Sequence, residues 1–266
     1  MKPLRLLLLG SALAALPAHA DFKSDLAAIR QVGGEGKGNA AAGAAWQSLA
    51  KGGAQSGNGG FVEVSGKQML AYGGVVNTSA VNGSYGTLLL DPYNITISSD
   101  PTSGVDQQTY QATAENSVMN VTDLVNALSN SNVWLWTGTA YSPGNQPGNI
   151  TVNAAVTWNS ATTLTLSAAQ DEFAGTIHGS GGFAVSHGFE VLSGNNTYTG
   201  ATTVDWNAGL ALSGSGAIAM SSGLLNNGAF DISATDNGAQ LRSLSGSGSV
   251  LLGGQTLTLT NADDTF

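Results

Sequence analysis

"LSGSGAI" (Leu212–Ile218) and "LSGSGSV" (Leu244–Val250) are near copies of one another. A third Gly-Ser-Gly stands at 179–181, so the three copies begin at Gly179, Gly214 and Gly246. A recurrence in this range marks a stacked array, in which each unit buries its apolar side only against its neighbours. Gly permits positive φ and Ser is at home in turns, so the motif reads as a corner. Between such corners lie short alternating runs of Val, Ile, Leu and Thr, as in "TTLTLSA" (162–168). Alternation with β-branched residues is the signature of half-buried strands. The fold expected is all-β: a parallel β-solenoid with Gly, Asn and Ser at its corners.

Composition supports this. Charged residues are only 9% of the chain, 37 of the 266 residues are Gly, and there is no Cys. Low charge with many small polar residues also describes disordered chains, but those lack the recurrent apolar alternation seen here. Without disulfides, burial and backbone pairing must hold the molecule together. At roughly 22 residues and about 4.8 Å per rung, Gly59 to Phe266 gives about nine rungs and a rod of about 45 Å.

The first twenty residues read as an export signal. Lys2 and Arg5 precede an apolar run from Leu6 to Leu16, and Pro17 leads into Ala18-His19-Ala20. The run is too short to span a bilayer, and the small-x-small pattern predicts cleavage between Ala20 and Asp21. Removing Lys2 and Arg5 from the 8 basic residues leaves 6 against 17 acidic ones, a balance of −11. No Lys or Arg lies between Lys67 and Arg242. Phosphate neutralisation needs clustered cations, so no nucleic-acid partner is expected.

Residues 21–58 hold Gly/Ala-rich sequence without a sustained period and read as a flexible lead-in. From Gly59, "FVEVS", "MLAYGGVV", "TLLL" and "NITIS" read as strands, with Asp91-Pro92 ending the third. Residues 100–132 interrupt the pattern. There "VTDLVNALSNSN" carries Val121, Leu124, Val125 and Leu128 at helical spacing, predicting a short helical insertion near 121–129 with Thr122 as N-cap. Strands resume at "NVWLWTG", "GNITVNAAVTW" and "TTLTLSAAQ".

Two of these blocks resemble known families. "GGFVEVSG" followed by "GTLLLDPYNITIS" (Gly59–Ser98, and more weakly on to residue 170) is similar to a segment of filamentous-haemagglutinin-like, high-molecular-weight adhesins. "LSGNNTYTGATTV" with the two Gly-Ser-Gly copies (Val191–Phe266) resembles the autotransporter-associated β-strand repeat of passenger domains. The resemblance implies a right-handed parallel β-helix on a secreted or surface-exposed protein of Gram-negative type. The organisation expected is a signal peptide (1–20), the lead-in (21–58), a haemagglutinin-like helix with its insertion (59–190) and autotransporter-type repeats (191–266). The secretion domain of two-partner adhesins is not found after the signal. The chain stops at "TLTLTNADDTF", inside a repeat, with no terminal set of long amphipathic barrel strands. A truncated or split passenger is therefore expected, with an outer-membrane translocator supplied elsewhere.

The chemistry of catalysis is thinly represented. The acids between Lys67 and Arg242, Glu190 and the adjacent pair Asp171-Glu172 among them, are scattered and read as surface charge. Adjacent strand residues point to opposite faces, so Asp171-Glu172 does not by itself make an acid/base dyad. His178 and His187, nine residues apart, could face each other across a rung turn, but they lack partners for a metal site. No Gly-x-Ser-x-Gly elbow is present, and no Lys follows the Gly-rich steps as a phosphate loop requires. No catalytic, metal or cofactor residues and no phosphate ligand are expected.

Candidate contact residues remain. Trp134 and Trp136 flank Leu135, so one strand face carries both indoles, either packed in the core or against a neighbouring loop, or as a sugar-stacking platform. In "SGNNTYTGATTV" (Ser193–Val204), Gly194-Asn195-Asn196 reads as a corner, and Tyr198 is the residue most suited to ligand contact. Sequons stand at Asn77, Asn82, Asn94, Asn120, Asn149 and Asn195. They are candidates for glycosylation, as on some adhesins of the resembled type, or simply corner asparagines. The function expected is adhesion by a β-helical rod to a host-cell, matrix or sister-cell receptor. A β-helical carbohydrate-active enzyme and a remnant without independent activity are the alternatives.

Overall fold

The structure, a computed structural model, describes residues 29–32, 47–65, 70, 72, 74–103, 116–137, 148–168 and 171–261. The expected signal peptide, with its cleavage residues Ala18, Ala20 and Asp21, lies outside the described residues.

The strands wind into a three-sided parallel solenoid. On the first face, Phe61–Ser65, Thr87–Asp91, Asn132–Trp136 and Thr163–Ser167 pair in succession. The ladder continues through the first half of Gly182–Leu192, then Thr202–Val204, Leu224–Asn226 and Leu244–Ser245. The second face runs from Ile95–Ser98 through Ile150–Val152, Asp171–Phe173 and the second half of Gly182–Leu192. It continues through Ala208–Gly214, Ala229–Thr235 and Ser249–Leu251. The third face is built of shorter pairs, such as Val156–Trp158 with Ile177–Gly179 and Ala239–Leu241 with Leu257–Leu259. Between those two pairs the backbone bonds Thr197 N–H to Ile177 O and Thr199 N–H to Gly179 O, both at 2.9 Å, carry the stack onward.

Strict register makes columns. Leu88, Val133, Leu164 and Phe183 stack on the inner side of the first face, with Leu90, Leu135, Leu166 and Val185 beside them, all buried. At roughly 25 cal/mol per Å², each such side chain contributes about 2 kcal/mol when buried. One rung alone cannot offset its backbone entropy, so stacking is what makes the fold stable.

The rung period differs from the motif period. Leu164, Phe183, Thr202, Leu224 and Leu244 are in register, which sets the rung at about 20 residues. Gly-Ser-Gly therefore does not mark equivalent places. Gly179–Gly181 turns from the third face to the first, Gly214–Gly216 leaves the second, and Gly246–Gly248 joins the first to the second. The recurrence reflects a common need for tight corners. The steps from Leu88 to Val133 and from Val133 to Leu164 are longer than one plain rung. These insertions consume chain, so there are fewer rungs than the nine expected.

The helix Val121–Leu128 fills the third face where a strand would otherwise run. Leu124, Ala127 and Leu128 point into the core. At its C-terminal end the Asn130 carbonyl accepts from Thr78 N–H at 3.2 Å on one neighbouring rung. On the other, the Ser160 and Thr162 hydroxyls donate to Leu128 O at 2.6 and 2.5 Å. The N-cap is Asn120, not the expected Thr122: Asn120 Oδ1 accepts from Thr122 N–H at 2.8 Å. The preceding strand, Ser117–Asn120, doubles back to pair with Ile95–Ser98, which positions Asn120 for this role.

Strand pairs or strands span two of the expected boundaries. Within the lead-in, Ile29–Val32 pairs with Phe61–Ser65 and Gln47–Leu49 with Val75–Asn77, because the backbone of the first full rung offers an edge to pair with. The boundary at 190/191 falls inside the single strand Gly182–Leu192, which bends from the first face to the second at Gly188 with φ 81°.

Candidate functional site

The outer surface of the first face carries the indole pair. Leu135 is fully buried, so Trp134 and Trp136 point outward on either side of it. Their rings stack with centroids 5.4 Å apart and planes 6° from parallel. Trp136 is 36% exposed, and Trp134 is half-buried with its Nε1 out of contact with solvent and without a hydrogen-bond partner. The pair is not in the core: it forms one aromatic ledge on the outer side of this face, with Trp134 half-buried there. Along the same face Thr165 and Thr203 stand at the matching outward positions, uncharged and half-buried.

The corner at Ser193–Val204 turns out differently from its ligand-contact reading. Tyr198 is 0% exposed, with its ring against Phe183 at a centroid distance of 6.3 Å. Its hydroxyl shares a 2.6 Å hydrogen bond with Thr202 Oγ1, and Thr202 in turn meets Ser221 Oγ at 2.8 Å. Burial raises the phenol above its ordinary ionisation range. Tyr198 cannot touch a ligand because its position continues an inward column. Asn196, also buried, accepts from Ile177 N–H and donates to Gly194 O, both at 2.8 Å, and also donates to Ala217 O at 3.1 Å. Asn195 is left exposed at the tip of the corner.

The other sequon asparagines divide in the same way. Asn120 donates to Ser99 O and Asp100 O, both at 3.0 Å, while its oxygen caps the helix. Asn94 donates to Asn116 Oδ1 at 3.0 Å and accepts from Gly148 N–H and Asn149 N–H. Asn77 accepts from the Ser79 N–H and hydroxyl at 3.0 and 2.6 Å. Asn149 is half-buried, with its Oδ1 closed off from solvent. Asn82 is exposed, donating weakly to Ala54 O and Gln55 O at 3.2 and 3.4 Å. Only Asn82 and Asn195 among the six present themselves on the surface.

The two histidines of the stack stand apart. His178 faces outward on the third face, its ring nitrogens bonded to Thr176 Oγ1 at 2.8 Å and Thr197 Oγ1 at 2.6 Å. His187 is exposed at the bend between the first and second faces, so the two rings do not meet. Among the described residues no group of three His, Cys, Asp or Glu could hold a metal ion.

One acid departs from the surface-charge reading. Glu190 is 0% exposed and occupies an inward column of the second face, in register with Asp171 on one side and Leu210 on the other. Its place was hidden because Asp171 and Glu190 stand one rung apart, a period the Gly-Ser-Gly spacing does not reveal. Counting one rung forward, to the buried Leu210, is the signal that would have found it.

Sequence reasoning also passed over Phe189 and Trp206. Both are exposed, at the bend that joins the first face to the second in successive rungs. The same count of one rung would have set Trp206 beside the turn that precedes Phe189.

Comparison of the chain with protein-family models, with curated proteins and with solved structures gives no match in any of the three.

Proposed function

We propose that this chain is a non-enzymatic, adhesin-type rod, exported and held at the surface of a Gram-negative-type cell or released from it. One observation carries the reading. The parallel ladder runs unbroken along the first face from Phe61–Ser65 to Leu244–Ser245, presenting outward positions that are mostly small or polar. A repeating surface of this kind suits many weak contacts made in parallel, whose combined avidity exceeds that of any single contact. The Trp134–Trp136 ledge supplies an apolar surface of the sort that stacks on saccharide rings. The export-signal pattern at the N-terminus and the adhesin-like sequence blocks agree with this reading. The receptor belongs to a host cell, matrix or sister cell, and the export partner is an outer-membrane translocator.

The test is adherence. Cells deleted for the chain should bind matrix, host cells or one another less well than the parent, and re-expression should restore binding. Unchanged adherence by the deletion strain would defeat the proposal. Turnover of a polysaccharide by the purified chain would replace it with an enzymatic reading.

A further inference from the structure

The edge between the first and second faces carries apolar side chains that the core does not use. In one rung the bend is made by Ser186, His187 and Gly188, and Phe189 follows it on the second face. In the next rung the bend is Asp205, Trp206 and Asn207. Trp206 is 78% exposed and Phe189 40%. Leu225, the outward residue of the following rung just before its own bend, is exposed as well. Large apolar side chains scattered singly on a surface need no explanation, but three at one edge on successive rungs mark a contact surface.

The edge is built to hold its shape. Asp205 N–H donates to Val185 O at 3.0 Å, and Ala208 N–H donates back to Asp205 O at 2.9 Å. Asn227 N–H donates to Val204 O at 2.8 Å, so the backbone beside Trp206 is tied to the rungs on both sides. The Phe189 ring lies against Gly209, its register partner in the next rung, where a Cβ would overlap the ring. A side chain already fixed in place costs little ordering on binding.

Charge narrows the occupant. The stretch between Lys67 and Arg242 supplies this whole edge and holds no Lys or Arg. Nucleic acid and acidic lipid both need cations to neutralise phosphate. The chain carries a formal net charge of −9, which repels acidic polysaccharides too. What stands beside the rings is neutral or hydrogen-bonding: exposed His187 and Asn207, with Asp205 and Asn227 half-buried. An aromatic face flanked by an imidazole, amides and a carboxylate matches a sugar ring, which has an apolar C–H face and a rim of hydroxyls that donate and accept.

We propose that the Phe189–Trp206 edge binds neutral polysaccharide, with the Trp206 indole stacking on a sugar ring and His187 and Asn207 meeting its hydroxyls. This names the chemistry of the receptor and rests on the reading of the rod as a binding surface.

Electrophoresis of the purified full chain through gels containing a soluble β-glucan, dextran or galactomannan tests it. At least one of these should retard the parent, while alginate, an acidic polymer, should not. Trp206→Ala should weaken the retardation about tenfold and Phe189→Ala by less. Circular dichroism should show both variants folded, since neither side chain belongs to the core. Three outcomes would overturn the assignment: no retardation by any of the three neutral polymers, retardation unchanged in both variants, or retardation lost in Trp136→Ala instead. Self-association of the parent that Trp206→Ala abolishes, without retardation by any polymer, would give the edge to a second copy of the chain. A deletion strain that adheres poorly, alongside a purified chain that binds none of the polymers, would defeat this assignment and leave the adhesin reading standing.

Discussion

Tyr198 and Thr202, four residues apart, close a corner from the inside: the phenol oxygen lies 2.6 Å from Thr202 Oγ1, with both side chains fully buried. Trp158 and Thr162 are related in the same way two rungs earlier, where the indole Nε1–H donates to Thr162 O at 3.2 Å. An aromatic ring ending the third face thus reaches over the bend to the start of the first. Tyr198→Phe should cost about 1 kcal/mol, the net worth of one buried hydrogen bond. Tyr198→Ala should cost roughly 3–5 kcal/mol, because it also leaves a cavity. Denaturant midpoints of the two variants measure the difference. Equal midpoints for Tyr198→Ala and the parent would mean that the ring is not in the core.

The buried phenols also set a limit in alkali. Burial raises Tyr198, and burial together with the Asp123 charge raises Tyr72. A raised phenol contributes stability that is present below the ordinary value of about 10 and is lost as pH climbs beyond it. In an ultraviolet titration, Tyr198 and Tyr72 should ionise only above the ordinary value and together with unfolding. Ionisation of these two near the ordinary value, with the fold retained, would contradict their burial.

Gly181 passes directly over the Trp158 indole, where a Cβ would overlap the ring nitrogen. The indole is buried and anchored, so it has little room to give way. Gly181→Ala should therefore destabilise the chain by roughly 1–3 kcal/mol through overpacking. Gly254→Ala is the control: a Cβ there meets nothing within 4 Å, and the effect should stay within about 0.5 kcal/mol. Thermal unfolding of the two variants side by side checks the contrast.

Asn120 both caps the helix and ties it to the turn at Ser99 and Asp100. Asn120→Ala should cost about 1 kcal/mol, somewhat more than a cap alone, and should speed proteolysis around the helix. Asn120→Asp keeps the capping oxygen and should recover part of the loss. Hydrogen exchange at Thr122 N–H reports the cap itself.

Much of the fold was legible because strand alternation survives in the residues themselves. "TTLTLSA" and "NITIS" read as strands, and Leu164, Leu166, Ile95 and Ile97 do point inward. The helix was legible from Leu124 and Leu128, which share its buried side. Its cap was not, because Thr122 and Asn120 are both good capping residues and only the doubling back of Ser117–Asn120 decides between them. The rung length expected, roughly 22 residues, is close to the about 20 found, but the register was masked by repeats that mark different corners. That gap propagated to the sites. With the register unseen, Tyr198 read as a candidate for ligand contact and Glu190 as surface charge, whereas stacking places both inside. Phe189 and Trp206 went unmarked for the same reason, since only the stack brings them to one edge. The Trp134–Trp136 ledge was read correctly as sharing one side, since a strand's two-residue period is local and needs no partner to reveal it.

The central claim is that rungs of about twenty residues stack in register, and paired cysteines test it most directly, since the parent has none. Thr203 and Leu225 are register partners at outward positions of adjacent rungs. Strand spacing of about 4.8 Å brings such a pair within the Cα separation that a disulfide spans. Ser215 and Ser247 occupy matching places in the two Gly-Ser-Gly copies but lie at different corners of the rod. Mild oxidation should cross-link Thr203→Cys with Leu225→Cys, within one chain, and leave Ser215→Cys with Ser247→Cys unlinked. The reverse outcome, linkage at the repeated motif and none between Thr203 and Leu225, would contradict the stack described.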